Sequence, residues 1–539
     1  MLSFHLCDAE GASNGWRQMA SGFEHGKSWI RPFRHRALEE VAVSSDRRFL
    51  LFVRERLAGA AASIPNGQLT TINDQHFERL TQDLRKWPLQ WTSLIIDYEP
   101  ARASQSILAH IECSHWGTAP VFFVTGPGTL WGDWDAGRLL PQLPASSLDP
   151  ARAARYLAEY ANPYTRSTIF RGLHLLTERA RAEWDGDVLA IAYPEPWFRP
   201  RAGALRNGED PVATMETILS ASLRRWITLP EEHIGTELSG GFDSAMVAST
   251  ASALSNTRLR SYGVGLMGAS AEDQAVRRAE LAERFGLIDT QVPIACFLPL
   301  APGSCRLEGH MPVLPWEDGY YEVFDELLAH AASAGTEIMF TGFGGDELFG
   351  LWPSEIRMLS ANGAAIQSGL EEPSVPAFLT PSARDALSEP VEWPPRAASS
   401  ESAVECAAFS AARYMRRGIW PVHPLCTPEL VHFCARLPVE WRRRRRAERE
   451  LLERRGCSTR ITHPIERDDF SWALAATLRG PAQSLVKRLF RDSALHEMGI
   501  VDADRLTNAY DDWCDHGPRD DAVQYFAAAV TEVCLQSMR

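Results

Sequence analysis

Lysine is the residue that this chain most clearly lacks. Only Lys27, Lys86 and Lys487 occur among 539 residues, and the 55 Lys and Arg residues are outnumbered by 69 Asp and Glu residues, which gives a net charge of −14. Positive charge is therefore carried almost entirely by arginine, which stays protonated at any working pH and cannot act as a general base. The acidic balance excludes a general nucleic-acid binder, so we expect no nucleic-acid partner.

Three further absences narrow the class of protein. The sequence contains no run of about eighteen apolar residues, the length that a membrane-spanning helix needs. The first twenty residues mix His, Asp, Glu and Arg with apolar residues, a pattern that is not typical of a signal peptide. The ten cysteines are scattered without a C-x-x-C pair, so neither a zinc site nor a disulfide framework is predicted. We expect a cytoplasmic protein with reduced thiols.

The length and the 45% hydrophobic content are sufficient for two sizeable cores. The first 200 residues contain strand patterns at 48–53, 91–97, 107–113 and 120–125 and a helix pattern at 149–160, which predict an antiparallel β domain with some helix. A stretch rich in Pro, Gly and Arg at 197–211 indicates a domain boundary, which we place after residue 205. A segment rich in Pro, Ser and Glu at 371–402 predicts an irregular, flexible loop.

Residues 239–244, Ser-Gly-Gly-Phe-Asp-Ser, form the most informative motif. An apolar strand pattern at 233–238 precedes them and a helix pattern at 245–254 follows. Gly240 and Gly241 permit positive φ, and the amides that open the helix would face an anion. Asp243 would repel a bare phosphate but suits Mg²⁺ bound to that phosphate. The motif is not a Walker A loop, because it has no G-x-x-x-x-G-K-[ST] pattern. The alternative is an ordinary glycine-rich turn.

A second loop of the same kind follows about a hundred residues later. A strand pattern at 337–341 runs into the glycines of 342–350, with Asp346 among them. Between the two loops, strand patterns at 259–266 and 288–294 alternate with helix patterns at 271–284 and 320–334, which predicts an α/β domain with a parallel sheet. Ligands of such sheets bind beyond the carboxyl ends of the strands, so Asp243 and Asp346 are predicted to share a metal. Alternatively, Asp346 and Glu347 only stabilise the start of a helix.

The first motif resembles the pyrophosphate loop of N-type ATP pyrophosphatases, and the two loops together resemble the asparagine synthetase and β-lactam synthetase superfamily. The resemblance implies a doubly wound ATP pyrophosphatase domain at 206–539 that splits ATP between the α- and β-phosphates and adenylates a substrate. It implies ATP and Mg²⁺ as cofactors, with the metal on Asp243 and Asp346. It also implies that the adenine lies against the backbone of Leu238 and of residues 264–266. The implied nucleotide contacts as a whole are Leu238, Ser239, Gly240, Gly241, Phe242, Asp243, Ser244, Val264, Gly265, Leu266, Gly344 and Gly345.

Residues 116–123 and 168–176 resemble stretches of the amino-terminal glutaminase-like domain of the same superfamily. This implies an Ntn-type α+β domain at 1–205. The glutaminases of this type use a Cys at position 2 as nucleophile, whereas this chain begins Met1-Leu2-Ser3. Cys7 is the nearest thiol, and we interpret it as a buried structural residue. We therefore expect the domain to be catalytically inactive, and the attacking amine to come from the substrate rather than from glutamine.

Two branches of the superfamily use an amine of the substrate itself: β-lactam synthetases and lasso peptide cyclases. Residues 344–355 resemble the G-G-D-x-x-F-G-x-x-P-S-E stretch of the lasso cyclases. The Tyr-Glu pair and the Lys of β-lactam synthetases are not evident, since Thr341 or Gly342 stands where the Tyr is expected and Glu405 is poorly placed for the acid. By spacing, the catalytic Lys position falls near Arg449. We predict an electrostatic role for Arg449 in catalysis, with any arginine of 442–446 as an alternative. A solvated helix face is the other interpretation of this arginine run.

The predicted activity is therefore ATP-dependent macrolactam formation in a ribosomal peptide. An Asp or Glu side chain is adenylated with release of pyrophosphate, and the peptide's α-amine then closes the ring and releases AMP, while the loop 371–402 closes over the site. The resemblance implies a precursor peptide as partner, with a leader peptidase and a leader-recognition protein. Two alternatives stay open. One is a small-molecule amide, β-lactam or asparagine-type synthetase that uses an amine or free ammonia, and the other is a non-catalytic scaffold, against which both carboxylates argue.

Overall fold

The computed structural model describes residues 1–8, 15–57, 64–98, 107–144, 146–160, 164–198, 205, 208–227, 233–351, 355–356, 375–465 and 468–539. The predicted boundary after residue 205 and residues 353 and 354 of the cyclase-like stretch fall at or outside the edges of these ranges. The amino-terminal part contains the helices Asp74–Arg85 and Pro150–Glu159. The helices of the second part are Pro211–Ile227, Phe242–Leu254, Ala271–Arg284, Cys305–Glu308, Tyr321–Ser333, Gly345–Leu348, Pro381–Ala386, Glu401–Arg416, Pro428–Arg436, Val439–Arg442, Arg446–Arg454, Thr459–Thr462, Ser471–Arg479, Gln483–Arg491, Ala494–Glu497, Ala503–His516 and Ala522–Ser537.

Two seven-stranded sheets form the amino-terminal part. The strands of the first sheet lie in the order Leu173–Leu176, Val121–Gly126, Thr129–Asp133, Leu2–Cys7, Ser28–Pro32, Gly22–His25 and Arg17–Met19. Those of the second lie in the order Leu189–Ala192, Arg181–Trp184, Ile107–Cys113, Trp91–Tyr98, Arg48–Glu55, Leu38–Ser44 and Leu69–Thr71. Neighbouring strands are antiparallel except for the last pair of the second sheet.

The two sheets bury a common core, because alternate side chains of each strand point to the same face. Phe4 and Phe123 of the first sheet belong to one buried cluster with Leu94 and Ile111 of the second. The helix Asp74–Arg85 covers the outer face of the second sheet, and the helix Pro150–Glu159 covers the outer face of the first. The prediction of an antiparallel β domain with some helix is confirmed. Its kinship with glutaminase domains stays a prediction.

A five-stranded parallel sheet organises the second part of the chain. Its order is Ile288–Pro293, Arg260–Gly265, Ile234–Glu237, Ile338–Phe340 and Trp420–Val422, or 3-2-1-4-5 in chain order. The direction of winding reverses between the first and fourth strands, which is where doubly wound sheets bind ligands. The helix Ala271–Arg284 has its predicted bounds. The helix predicted at 245–254 instead begins at Phe242, because the last three residues of the glycine-rich motif form its first turn.

The segment predicted as a flexible loop at 371–402 is anchored to the protein at several points, while other described residues, such as Val375 and Trp393, are exposed. Residues 371–374 lie outside the described ranges. Phe378 and Leu379 are buried, and the helix Pro381–Ala386 follows them. Arg155 donates hydrogen bonds to the carbonyl oxygens of Leu387 at 2.9 Å and Glu389 at 3.2 Å. The described part of this segment therefore combines buried anchors with exposed residues, and its closure over the site stays a prediction.

Each helix that the structure describes is too short or too polar to span a lipid bilayer.

A buried ion-pair network joins the two parts of the chain. Arg416, at the end of the helix Glu401–Arg416, donates to both carboxylate oxygens of Asp135 at 2.6 and 2.8 Å. It also reaches Glu317 at 3.1 and 3.2 Å. Asp135 and Glu317 are both buried. Glu317 depends on this guanidinium for its charge balance, whereas Asp135 also lies 3.6 Å from the Arg138 guanidinium.

We predict that Arg416→Ala destabilises the protein by about 3–5 kcal/mol, because it leaves two carboxylates buried beside an empty position. Urea unfolding followed by tryptophan fluorescence measures the effect. The matched control is Arg417→Ala: Arg417 pairs with Asp325 but is 38% exposed, so we expect a loss of about 1 kcal/mol or less. Equal losses in the two variants would show that the network does not hold the two parts together.

Candidate active site

The glycine-rich loop 239–244 lies at the carboxyl end of the first strand, beside the reversal point of the sheet. Gly240 has φ +94°, a conformation that other residues adopt only with strain. The side chains of Ser239 and Ser244 meet at 3.0 Å, and the Ser244 hydroxyl accepts the Ser239 amide at 3.0 Å. Gly241 precedes the helix Phe242–Leu254 and offers no side chain as a cap. The amides that open this helix therefore remain available for an anion.

Three buried side chains of the helix Ala271–Arg284 donate hydrogen bonds to the backbone of this loop and of the residue before it. Gln274 donates to the carbonyl oxygens of Ser239 at 2.9 Å and Val264 at 3.1 Å and accepts the Leu266 amide at 3.0 Å. Arg277 donates to the carbonyl oxygen of Gly240 at 3.2 Å. Arg278 reaches the carbonyl oxygen of Leu238 and donates to both carboxylate oxygens of Asp289 at 2.8 Å. These roles could not be predicted from the residues alone, because polar residues on an amphipathic helix usually face solvent.

These contacts bear on the predicted adenine position. Leu238 and Val264 have buried side chains, so only their backbone could face a ligand. The amide of Leu266 already donates to Gln274, and the carbonyl oxygen of Val264 accepts from the same side chain. Gln274 thus joins the ends of the first two strands, the location at which the adenine contacts were predicted. The backbone there is fixed in place by a side chain rather than left open.

The second loop packs directly against the first. Gly344 has φ +90° and precedes the short helix Gly345–Leu348. A Cβ atom on Gly345 would overlap the carboxylate of Asp243, and one on Gly342 would lie 3.0 Å from the Ser244 nitrogen. The absence of these Cβ atoms lets the two loops touch. The structure therefore brings Asp243, Gly344, Gly345 and Asp346 together.

Arg445 bridges the two carboxylates that were predicted to share a metal. Its Nη2 pairs with Asp243 and its Nη1 with Asp346, while Nε and Nη2 donate to Glu448 at 2.5 and 2.9 Å. Its guanidinium also lies 5.1 Å from the centre of the Phe242 ring. In the described ranges, no group of three or more His, Cys, Asp or Glu side chains is arranged to hold a metal. Two carboxylates that share one cation nevertheless suit Mg²⁺, which takes one or two carboxylates and completes its shell with phosphate oxygens and water.

The electrostatic environment of the pair is asymmetric. The side chain of Asp243 is 22% exposed and that of Asp346 is 81% exposed. Burial raises the pKa of Asp243 well above its usual range, and the neighbouring Glu448 acts in the same direction, whereas Arg445 lowers it. Arg445 is therefore the neighbouring cation that favours the charged form of this carboxylate against the effect of burial. Asp346 lies at the solvent-facing side of the same site.

The turn that carries Arg445 is strained. Arg444 has φ 53° and ψ 26°, and Arg445 has φ 57° and ψ 40°, so two successive non-glycine residues adopt the left-handed conformation. Each such residue costs about 1–3 kcal/mol and persists only where the surrounding structure holds it. The helix Arg446–Arg454 begins directly after this turn. The turn therefore decides which arginine of the run faces the carboxylates.

The structure separates the arginines of the run by role. Arg449, the predicted catalytic residue, does not bond either carboxylate, and its guanidinium lies 5.3 Å from the centre of the Phe242 ring. Arg442 is buried and donates to the carbonyl oxygens of Leu437 at 2.9 Å and Gly350 at 2.8 Å, besides pairing with Glu355. The solvated-face interpretation fits the exposed members, which are Arg443, Arg444 and Arg446.

A second buried network lies between the loops and was not expected from the sequence. The Tyr414 hydroxyl donates to Glu237, the residue that directly precedes Leu238 and the glycine-rich loop. The neighbouring Arg413 pairs with Asp318 at 2.8 Å. Burial raises the pKa of Glu237, while the hydrogen bond from Tyr414 and the charge of Arg413 act in the opposite direction. A Tyr-Glu pair therefore exists here, at positions that local sequence patterns could not connect.

Cys7, the thiol of the strand Leu2–Cys7, is buried. Leu2 is fully buried in the strand Leu2–Cys7. Cys7 is 7% exposed, and its amide donates to the Ser28 hydroxyl at 2.9 Å. Burial lowers the pKa of the Met1 amine to about 5. The interpretation of Cys7 as a buried structural residue fits this environment.

A doubly wound parallel sheet with two touching glycine-rich loops at its reversal point defines an α/β protein with a nucleotide-type site. The model of the asparagine synthase family matches residues 218–535, more than half of the chain, and the chain belongs to this family. Membership implies an ATP-dependent ligase that forms amide bonds.

The other comparisons add little. No curated protein matches the chain. One similar solved structure is the U34-tRNA thiolase NcsA from Methanococcus maripaludis with its [4Fe-4S] cluster. It is 11% identical with a TM-score of 0.24, and the alignment covers 57% of this chain and 79% of the thiolase. Similarity at this level supports no conclusion about the present chain.

We predict that Gly345→Ala lowers ATP consumption by about 10²-fold, because the new methyl group displaces the Asp243 carboxylate from its position. We also expect a loss of stability of about 1–3 kcal/mol from overpacking, so thermal unfolding is measured beside ATP consumption to confirm that the variant is folded. Gly350→Ala is the control, because its Cβ would meet only the Glu347 carbonyl oxygen at an ordinary 3.4 Å. Full activity of the Gly345 variant would mean that the contact between the loops is unimportant.

Proposed function

We propose that this protein is an ATP-dependent macrolactam synthetase of the lasso peptide cyclase type. It adenylates an Asp or Glu side chain of a ribosomal peptide and then joins this carbonyl to the peptide's own α-amine. The observation that carries the proposal is the pair of carboxylates, Asp243 and Asp346, held by one cation at the mouth of the glycine-rich loop. This arrangement suits a metal-bound triphosphate, and family membership supplies the amide-forming chemistry.

In the first half-reaction, a carboxylate oxygen of the substrate attacks the α-phosphorus and the bond to the β-phosphate oxygen breaks. Asp243 and Asp346 would hold Mg²⁺, which neutralises charge on the leaving pyrophosphate. The amides that open the helix Phe242–Leu254 stabilise charge on the phosphates. Gln274, Arg277 and Arg278 keep the loop in the conformation that presents these amides.

In the second half-reaction, the α-amine attacks the acyl-adenylate, a carbon–nitrogen bond forms, and AMP leaves with the electrons of the broken carbon–oxygen bond. The nitrogen must lose a proton in this step. Glu237 is the group that we assign as its acceptor, because this carboxylate ends the strand that leads into the glycine-rich loop and is oriented by the Tyr414 hydroxyl. Arg449 remains fully charged, so its role is to stabilise the departing AMP.

Two features favour a peptide over a small molecule. Residues 344–355 resemble the cyclase stretch, and Arg442 binds both Gly350 and Glu355 within it, which gives these residues a structural reason to occur together. Cys7 is buried in the strand Leu2–Cys7 and offers no accessible thiol for a glutaminase reaction, so we propose that the amine belongs to the substrate. A precursor peptide, a leader peptidase and a leader-recognition protein are the proposed partners, and the cytoplasm is the proposed location. A small-molecule amide synthetase is the alternative.

We predict that the protein converts ATP to AMP and pyrophosphate only when a linear peptide with a free α-amine and an internal Asp or Glu is present. The peptide should lose the mass of one water. Asp243→Asn and Asp346→Asn should each lower the rate by about 10²–10³-fold, because charge on the leaving group is no longer balanced. Asp511→Asn, which alters an exposed pair with Lys487, is the matched control. Turnover with free amino acids and ammonia but with no peptide would favour the small-molecule alternative.

We further predict that Glu237→Gln separates the two half-reactions. The exchange of labelled pyrophosphate into ATP reports adenylation, which needs no proton acceptor, and should change by less than about threefold. Ring closure should fall by about 10²–10⁴-fold, the usual contribution of a general base. Glu326→Gln, which removes an exposed carboxylate, should affect neither step. Parallel losses in exchange and ring closure would assign Glu237 a structural role instead.

A further inference from the structure

We propose that Arg445 acts as a resident counter-cation that a divalent metal must replace, so that the metal enters the site only together with ATP. The inference rests on the proposed function for the identity of the metal carboxylates and deepens it by adding a residue. Arg445 is then a positioning residue that couples metal binding to nucleotide binding.

The first argument is that Arg445 already occupies both carboxylates that a metal would need. Arg445 pairs with Oδ1 of Asp243 and Oδ1 of Asp346, the two side chains that a metal would bridge. Its Nε and Nη2 donate to both oxygens of the buried Glu448. A divalent cation bound by the aspartates would stand next to a guanidinium of the same sign. The side chains of Arg445 and Asp243 are only 21% and 22% exposed, so on that side of the site the repulsion is only weakly screened. The two cations therefore compete for one position.

The second argument concerns the backbone turn that places Arg445 beside the carboxylates. Arg444 and Arg445 are both left-handed, and such a turn persists only while its surroundings hold it. The contacts that hold the Arg445 side chain are those to Asp243, Asp346 and Glu448. When a metal takes the two aspartates, most of these contacts end and the turn can relax. Relief of the backbone strain at Arg444 and Arg445 therefore favours release of the Arg445 side chain from the site.

The third argument concerns where Arg445 can go. Its guanidinium lies 5.1 Å from the ring centre of Phe242, a residue of the glycine-rich loop itself. Phosphates bound at this loop would be adjacent, and guanidinium groups bind phosphate with paired hydrogen bonds. A metal alone offers Arg445 no such new partner, whereas ATP does. Metal without nucleotide should therefore bind weakly.

Binding of Mn²⁺, as a spectroscopic substitute for Mg²⁺, to the full chain without nucleotide tests the inference. Electron paramagnetic resonance measures the free ion. We expect Arg445→Gln to tighten Mn²⁺ binding by at least about tenfold over the unmodified protein, because competing charge-assisted bonds are removed. The same variant should bind ATP more weakly. A merely structural defect would weaken both ligands, so the opposite signs identify the coupling.

Arg449→Gln is the matched control. It removes the same charge at a similar distance from Phe242, 5.3 Å, but from a residue that does not bond the carboxylates. We expect less than about a threefold change in Mn²⁺ affinity, the effect of charge alone. Arg445→Lys should lie between Gln and Arg, since one ammonium cannot bridge both aspartates, and it serves if the Gln variant does not fold.

Two outcomes separate this inference from the proposed function. If Asp243→Asn abolishes Mn²⁺ binding but Arg445→Gln and Arg449→Gln raise it equally, or not at all, Arg445 is not the coupling residue and the metal assignment stands. If Arg445→Gln still binds Mn²⁺ tightly after Asp243→Asn and Asp346→Asn are added, the metal carboxylates themselves are wrongly assigned. In that case the proposed function loses its main support.

Discussion

The close approach of two glycine-rich loops at the reversal point of the parallel sheet is the constraint on which the candidate site depends. Each loop follows a strand, and the two strands, Ile234–Glu237 and Ile338–Phe340, are hydrogen-bonded neighbours. The loops can meet only because Gly342 and Gly345 have no side chains. A single methyl group there would separate Asp243 from its partner loop, and the two carboxylates could then no longer share one cation.

Burial of this contact leaves polar groups that need hydrogen-bond partners. Elements that are distant in sequence supply these partners. Backbone groups removed from water must be paired, and Gln274, Arg277 and Arg278 pair those of the first loop from the adjacent helix. On the other side, burial raises the pKa of Asp243, and a nearby cation favours its charged form. The protein supplies that cation from a third element, the turn before the helix Arg446–Arg454. The site is therefore assembled from four separate stretches of the chain.

The sequence was sufficient for features that depend on local patterns. The parallel sheet, the helix Ala271–Arg284 and the two loops were predictable because glycine, strand and helix signals lie within short windows. The contact of Arg445 with both carboxylates was not predictable, since spacing along the chain assumes a regular backbone, and two left-handed residues change the direction of the run. The pair of Tyr414 and Glu237 was equally hidden, because 177 residues separate its members. The buried anchors of the segment 375–402 depend on a core that composition does not reveal.

The near absence of lysine has a chemical consequence at the site. An activated acyl group reacts with any accessible primary amine, including those of the protein that made it. The three lysines lie elsewhere, Lys27 and Lys86 in the amino-terminal part and Lys487 on the helix Gln483–Arg491. The cations around the loops are guanidinium groups, which are protonated and poorly nucleophilic. With the chemistry proposed here, an enzyme whose site relies on arginine is protected from acylating itself, and the substrate's own amine has no competitor from the cationic side chains around it.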